Sequence, residues 1–328
     1  MFASQTIGPG TRAGRTAIWR RHCLYVFLSA ALLLMAPWAS ASTVTILITR
    51  LGAGYDELID PLREELLRIP GLKVQTIATG EGELPVNLRL ADDTVLVVTI
   101  GLHTARQSLT LPDPRIPVLS VLVPRSSFET IATADKNGRK YSALYIDQPP
   151  TRQMDLLRIV LPLARSVGMV VGPATQQDVP VYRTLATNRG LTLIAERADR
   201  ETELYPVLQS VLRSSDVLVA LPDSSIVNVA TAQNLLLTSF RFRVPVLGYS
   251  ASYVRAGALA AVYSTPRHIG QEAGQIVRNF VRGGSLPAAK FPRYFNVAVN
   301  RQMADSLGLT IAEEAALLQR LLQLEGSE

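Results

Sequence analysis

The chain has 328 residues, with 33 Lys or Arg against 27 Asp or Glu, 48% hydrophobic side chains and one cysteine. That length and apolar content suffice for two cores of ~100–200 residues each, and no segment gathers the Lys and Arg that a nucleic-acid footprint needs on one face. One cysteine excludes an internal disulfide framework. Three histidines, with no His-Glu-x-x-His and no paired-cysteine spacing, give no basis for a metal site.

In chain order, Arg15, Arg20 and Arg21 precede an apolar run from Leu24 to Met35 that ends in Ala39-Ser40-Ala41. The run is shorter than the ~20 apolar residues of a membrane span, and small residues sit where a signal peptidase cuts. This pattern predicts a signal peptide over residues 1–41, cleaved after Ala41, and hence an exported, periplasmic protein. An uncleaved anchor is the alternative. Removal of that segment takes four arginines, Cys23 and no acidic residue, so 33 less four leaves 29 basic against 27 acidic side chains. The basic character therefore belongs mostly to the leader.

Beyond it, short β-branched runs alternate with segments of helical period, the pattern of parallel sheets covered by helices. Strands are expected at Val44 to Thr49, Lys73 to Ile77, Thr94 to Thr99, Pro117 to Leu122 and Ala143 to Ile146. A helix from Thr151 to Leu163 follows, with Pro150 as a start signal. A second series of strands runs Val167 to Val171, Leu191 to Ala195, Val217 to Leu221, Val244 to Leu247 and Ala258 to Val262. Then come a helix from about Pro266 to Val281, a strand near Tyr294 to Val299 and a helix from about Ile311 to Leu324. The two series repeat: Val95-Leu-Val-Val98, a helix and Arg115-Ile-Pro-Val-Leu119 correspond to Val217-Leu-Val-Ala220, a helix and Arg243-Val-Pro-Val-Leu247. An α/β protein of two related parallel-sheet lobes is the fold class this predicts.

Open parallel sheets bind ligands outside the carboxyl ends of their strands. In the first lobe those ends hold Arg50, Thr99, Gly101, Arg125 and Ser126. In the second they hold Asp223, Ser224, Ser225, Tyr249, Ser250 and, just beyond, Tyr253. Helix N-termini begin at these turns and favour an anion; Arg50 and Arg125 offer guanidinium groups to a carboxylate. The tyrosines offer flat faces to an aromatic ligand, although Tyr also serves as packing. Asp223-Ser224-Ser225 reads equally as a ligand turn or as a helix cap.

The segments Val244-Pro-Val-Leu-Gly-Tyr-Ser250, Tyr253-Val-Arg-Ala-Gly-Ala258, Gly270-Gln-Glu-Ala273, Phe295-Asn-Val-Ala-Val-Asn300 and Leu307-Gly-Leu-Thr310 resemble the substrate-binding proteins of ABC transporters. They are most similar to the type I periplasmic binding proteins, the group that includes tryptophan- and tyrosine-binding members. The resemblance spans most of residues 44 to 312. It implies two Rossmann-like lobes joined by three hinge crossovers, with discontinuous domains: 42–148 plus about 263–328 as the N-terminal lobe, and 149–262 as the C-terminal lobe. It implies a monomer that takes a small ligand, amino-acid-like or aromatic, and delivers it to the membrane permease of an ABC transporter, without cofactor, metal or nucleic acid. Where relatives carry an Asp-Pro and Gly-rich stretch, this chain has Pro124-Arg-Ser-Ser-Phe128, a departure in the first-lobe half of the pocket.

Two other functions fit the sequence less well. A ligand-sensing protein that partners a membrane receptor without transport would share the fold. An exported hydrolase finds its best case in Gly248-Tyr-Ser250-Ala-Ser252, which lacks the second glycine of a nucleophile elbow and has only His268 downstream. Gly52-Ala-Gly54 carries two of the three glycines of a dinucleotide loop, with Glu57 in the third position. His103 opens a helix after Gly101. No catalysis is expected.

Overall fold

A computed structural model describes residues 42–50, 53–82, 84–85, 88–223, 226 and 229–326. The expected leader, together with Gly52, Ser224 and Ser225, lies outside the described residues. No helix among the described residues is long and apolar enough to cross a membrane.

The first sheet has five strands: β1 (Ser42–Ile48), β2 (Leu72–Ala78), β3 (Thr94–Ile100), β4 (Val118–Val123) and β5 (Tyr141–Tyr145). All pair in parallel, in the order β2-β1-β3-β4-β5. Their near-continuous burial, six of seven positions in β1, explains the apolar runs: both faces of a parallel sheet are covered by helices. Those helices include α1 (Ala53–Leu67), α2 (Leu102–Gln107) and α3 (Arg125–Ala134).

From β5 the chain crosses into the second lobe through α4 (Pro150–Val160). Then follow β6 (Ser166–Val171), α5 (Val179–Asn188), β7 (Thr192–Arg197), α6 (Leu204–Leu212) and β8 (Val217–Val219). The lobe continues with α7 (Val229–Arg241), β9 (Val246–Gly248), α8 (Ala251–Arg255) and β10 (Ala260–Tyr263). The second sheet runs β11-β10-β9-β8-β6-β7, where β11 is the late strand Asn296–Val299. Read from β7, β3 and β8 hold the same rank in their sheets, as do β4 and β9. The sequence repeat therefore marks equivalent strands.

The chain then returns to the first lobe as α9 (Pro266–Val281), which lies against α1 closely enough that glycine is required: a Cβ on Gly270 would stand 2.1 Å from the Leu58 carbonyl oxygen. Ile269, Ala273, Ile276 and Val277 join the first-lobe core, and Lys290 adds a short parallel bridge to β5. A third crossing near Pro292 leads to β11 (Asn296–Val299), α10 (Arg301–Leu307) and α11 (Glu314–Glu325).

This third crossing corrects the expected lobe boundary. The first lobe regains only about residues 266–291, because β11 pairs antiparallel with β10, and Phe295, Val297, Ala304, Leu317 and Leu321 bury in the second-lobe core. The helix α10 was not anticipated. It starts on Asn300, whose Oδ1 accepts the Met303 N–H at 2.9 Å, and it stops at Gly308 with φ 70°.

Candidate ligand cavity between the lobes

A cavity of about 270 Å³ lies where the carboxyl ends of the two sheets meet. The first lobe contributes Pro124, Arg125 and Ser126 from the turn after β4, Ile146, Asp147 and Gln148 after β5, and Phe291 from the third crossing. The second contributes Gln153 on α4, Thr175 and Asp178 after β6, Tyr182 on α5, Leu221 and Pro222 after β8, Tyr249 and Ser250 after β9, and Tyr263 and Ser264 after β10. Every turn is a strand end, as the parallel topology requires.

The first-lobe wall is set by an irregularity in β4. Leu122 has φ 55°, in the left-handed region unfavourable to a non-glycine residue, and the β4–β5 register slips between Val121 and Val123. Just beyond it α3 begins. The Asp147 carboxylate accepts the Arg125 backbone N–H at 2.6 Å, so a side chain of the first crossing caps the helix.

The Arg125 guanidinium donates to Glu129 at 2.8 Å and pairs with Asp178, a second-lobe residue. Gln177 donates to Glu129 at 3.2 Å, so two polar contacts join the lobes beside the cavity. Burial pushes the Asp147 and Asp178 carboxyls above their ordinary range, with Arg125 opposing the shift at both. Deeper in, the Tyr182 hydroxyl donates to Gln153 Oε1, and burial raises that phenol.

On the second-lobe wall the Tyr249 ring lies over Tyr253, centroids 4.8 Å apart and planes 36° from parallel. Tyr253 is 5% exposed, and its hydroxyl finds no hydrogen bond among the described residues. Ser250 caps α8 by accepting the Tyr253 N–H at 3.1 Å and also shares a 2.9 Å contact with Ser252 Oγ.

At the hinge, Gln148 donates to Ser264 at 2.9 Å and Ser264 donates to the Tyr294 carbonyl at 2.6 Å. Arg152, 5% exposed, donates to Gln148 Oε1 at 2.6 Å and to the Pro292 carbonyl at 3.1 Å, pairs with Glu325 at 2.5 Å and stacks 3.8 Å over the Phe295 ring. One guanidinium thus joins the first and third crossings directly, and reaches the second through Gln148 and Ser264.

Of the residues singled out by sequence, Arg125, Ser126, Tyr249 and Ser250 line this cavity. Tyr253 stands one layer behind. Asp223 also stands behind the wall: it is 2% exposed, and its carboxylate accepts the Thr175 N–H at 3.0 Å and hydroxyl at 2.8 Å, fixing a loop that does line the cavity. Arg50, Thr99 and Gly101 are not among the lining residues. Arg50 is exposed, and Thr99 is buried within the sheet, donating to Ser120 Oγ at 2.9 Å. Gly101, with φ 88°, serves as the start of α2. His103 contacts the Gly82 carbonyl oxygen at 3.1 Å in a separate first-lobe groove. Sequence reasoning missed Asp147, Gln148, Gln153, Asp178 and Tyr182. The signal for the first two was present as a polar pair after a strand end and ahead of Pro149-Pro150.

The family model described as ABC transporter substrate binding protein matches residues 67–320. No curated protein matches the sequence. Solved structures of similar fold include the ABC domain in complex with L-Trp from Streptococcus pneumonia, at 16% identity and TM-score 0.59, covering 85% of this chain and 98% of that one. The ligand-free, open substrate-binding protein with adhesive properties from Clostridium difficile aligns at 15% identity and TM-score 0.62, covering 83% and 96%. A conserved domain protein from Vibrio cholerae aligns at 19% and 0.57, covering 85% and 98%. At such identities the likeness is one of fold: two parallel-sheet lobes of the type I periplasmic binding proteins.

Proposed function

Because the chain belongs to the family of ABC transporter substrate-binding proteins, we propose that it captures a small solute between its lobes outside the cytoplasm and delivers it, chemically unchanged, to the permease of an ABC transporter. The observation that carries this reading is the cavity itself, enclosed by strand-end turns of both sheets and lined by Arg125, Ser126, Tyr249 and Ser250 together with the side chains of the first crossing. A ligand touching both walls stabilises the closed arrangement by its differential contacts, a population shift about the hinge. Export follows from cleavage after Ala41, and the protein works as a monomer.

The test is a thermal-shift panel of amino acids, amines, sugars, nucleosides and organic acids. A ligand that binds only the folded protein at 100 times its Kd adds about 2.7 kcal/mol of stability, and Tyr249→Ala should reduce the shift while leaving the unliganded midpoint within a few degrees. If no compound class moves the midpoint, solute capture is refuted.

A further inference from the structure

The charge of the solute can be read from what surrounds the cavity. Helix N-termini are the usual anion sites of this topology, and at four of the described helix starts one N–H is already engaged or missing. The Asp147 carboxylate caps α3, Ser250 Oγ caps α8, α4 begins on Pro150 and the second residue of α5 is Pro180, neither of which has an N–H. Arg125, the one guanidinium among the described lining residues, is shared between Glu129 and Asp178.

The carboxylates outnumber it. Asp147 and Asp178 line the cavity, Glu129 sits beside Arg125, and Asp223 is buried behind Thr175. Asp147 makes no ion pair among the described residues and accepts a hydrogen bond from one neighbouring backbone N–H. A half-buried carboxylate facing a cavity without an ion-pair partner among the described residues gains from the arrival of a cation. Tyr249, Tyr263 and Phe291 supply an apolar wall, and about 270 Å³ lies just under the ~300–1,000 Å³ of sites for drug-sized ligands.

The geometry points to a small ligand that carries a protonated amine and no carboxylate, its ammonium set against Asp147 and its apolar body against Tyr249, Tyr263 and Phe291. This rests on the solute-capture reading and narrows it to one charge class. An amino acid would bring a carboxylate in beside Asp147, Asp178 and Glu129.

Titration calorimetry of the protein with 2-phenylethylamine, 2-phenylethanol, 3-phenylpropionate and phenylalanine, and with butylamine against pentanoate, tests it on matched bodies of different charge. A charge-assisted hydrogen bond corresponds to roughly a 10- to 100-fold preference, so at least one amine should bind at least ~10-fold tighter than its neutral or anionic counterpart. Asp147→Asn keeps an acceptor oxygen for the Arg125 N–H, and should bring 2-phenylethylamine to within ~3-fold of 2-phenylethanol with the melting midpoint preserved. Tyr249→Ala should weaken both equally. The inference is overturned if a carboxylate or phenylalanine binds as tightly as the matching amine, if Asp147→Asn leaves the preference intact, or if no amine binds. When no amine binds but another class shifts the midpoint in the thermal panel, the charge assignment fails and solute capture stands; when the panel is also silent, both fail.

Discussion

The contact between Arg125 and Asp178 is the main ionic link beside the cavity between the lobes, and replacing Asp178 with Asn should release the closed arrangement. Arg125 is 27% exposed and Asp178 17%, so the pair is partly screened. At contact distance and an effective dielectric near 20 the gross attraction is about 5 kcal/mol. Most of that is cancelled by the desolvation of both groups, and Glu129, 2.8 Å away, remains as a partner for the guanidinium. The net contribution is then about 1 kcal/mol, the size measured for pairs near the surface, and Asp178→Asn should raise the open-to-closed ratio of the unliganded protein about fivefold. Single-molecule energy transfer reads this ratio directly. The only cysteine is Cys23, so a Cys23→Ser background with labels on Arg63→Cys in α1 and Thr187→Cys in α5, both exposed positions on different lobes, reports the separation. A ratio that changes by less than twofold in Asp178→Asn, alongside a clear change in Glu129→Gln, would refute the assignment of the latch to this pair.

Three further outcomes follow from the packing. Arg152→Ala leaves Gln148, the Pro292 carbonyl and Glu325 without their donor, and the loss of one partner from a buried network should cost about 3 kcal/mol, seen as a fall of roughly 6–10 °C in Tm. Gly270→Ala forces a methyl to within 2.1 Å of the Leu58 carbonyl oxygen; α1 and α9 must part, at about 2–3 kcal/mol in denaturant titration, whereas an alanine at exposed Gly82 has open space around it. The partly buried Asp147 and Asp178 titrate above their ordinary value of 3.8, because burial disfavours the charged form. Their contribution to the stability of the unliganded protein is therefore full below pH 3.8 and is lost as pH rises through the folded value. Asp147→Asn should flatten the pH dependence of Tm across that interval, and an unchanged profile would show that the carboxyl ionises in the fold as it does in the unfolded chain.

The strands were legible because a parallel sheet covered on both faces demands apolar runs, and those runs recur in register between the two lobes. The lobe to which the last strand belongs was not. Asn296–Val299 is a four-residue run whose pattern would suit either sheet, and only its antiparallel pairing with β10 and the burial of Phe295 assign it to the second. The cavity was half legible for a related reason. Strand ends locate turns, which brought out Arg125, Ser126, Tyr249 and Ser250, but a residue at a strand end points alternately to either face, and Thr99 points into the sheet toward Ser120. Gln153 and Tyr182 face the cavity from helices whose sequences read simply as packing. Nothing local distinguishes them.

The side chains of the crossings also tie ligand contact to lobe motion. Gln148 and Ser264 line the cavity and hydrogen-bond to each other across two hinge segments, while Arg152 holds Gln148 and reaches the third segment at Pro292. A solute that hydrogen-bonds to Gln148 would use the second lone pair of its oxygen or the second hydrogen of its amide, and so would join the network that holds the hinge. Glu325, on the last helix, pairs with Arg152 from outside the cavity, which places the C-terminal helix in the same network. The hinge network thus reaches the cavity lining at one end and α11 at the other. Substitution of Glu325 by Gln should alter the open-to-closed ratio without touching any residue that lines the cavity.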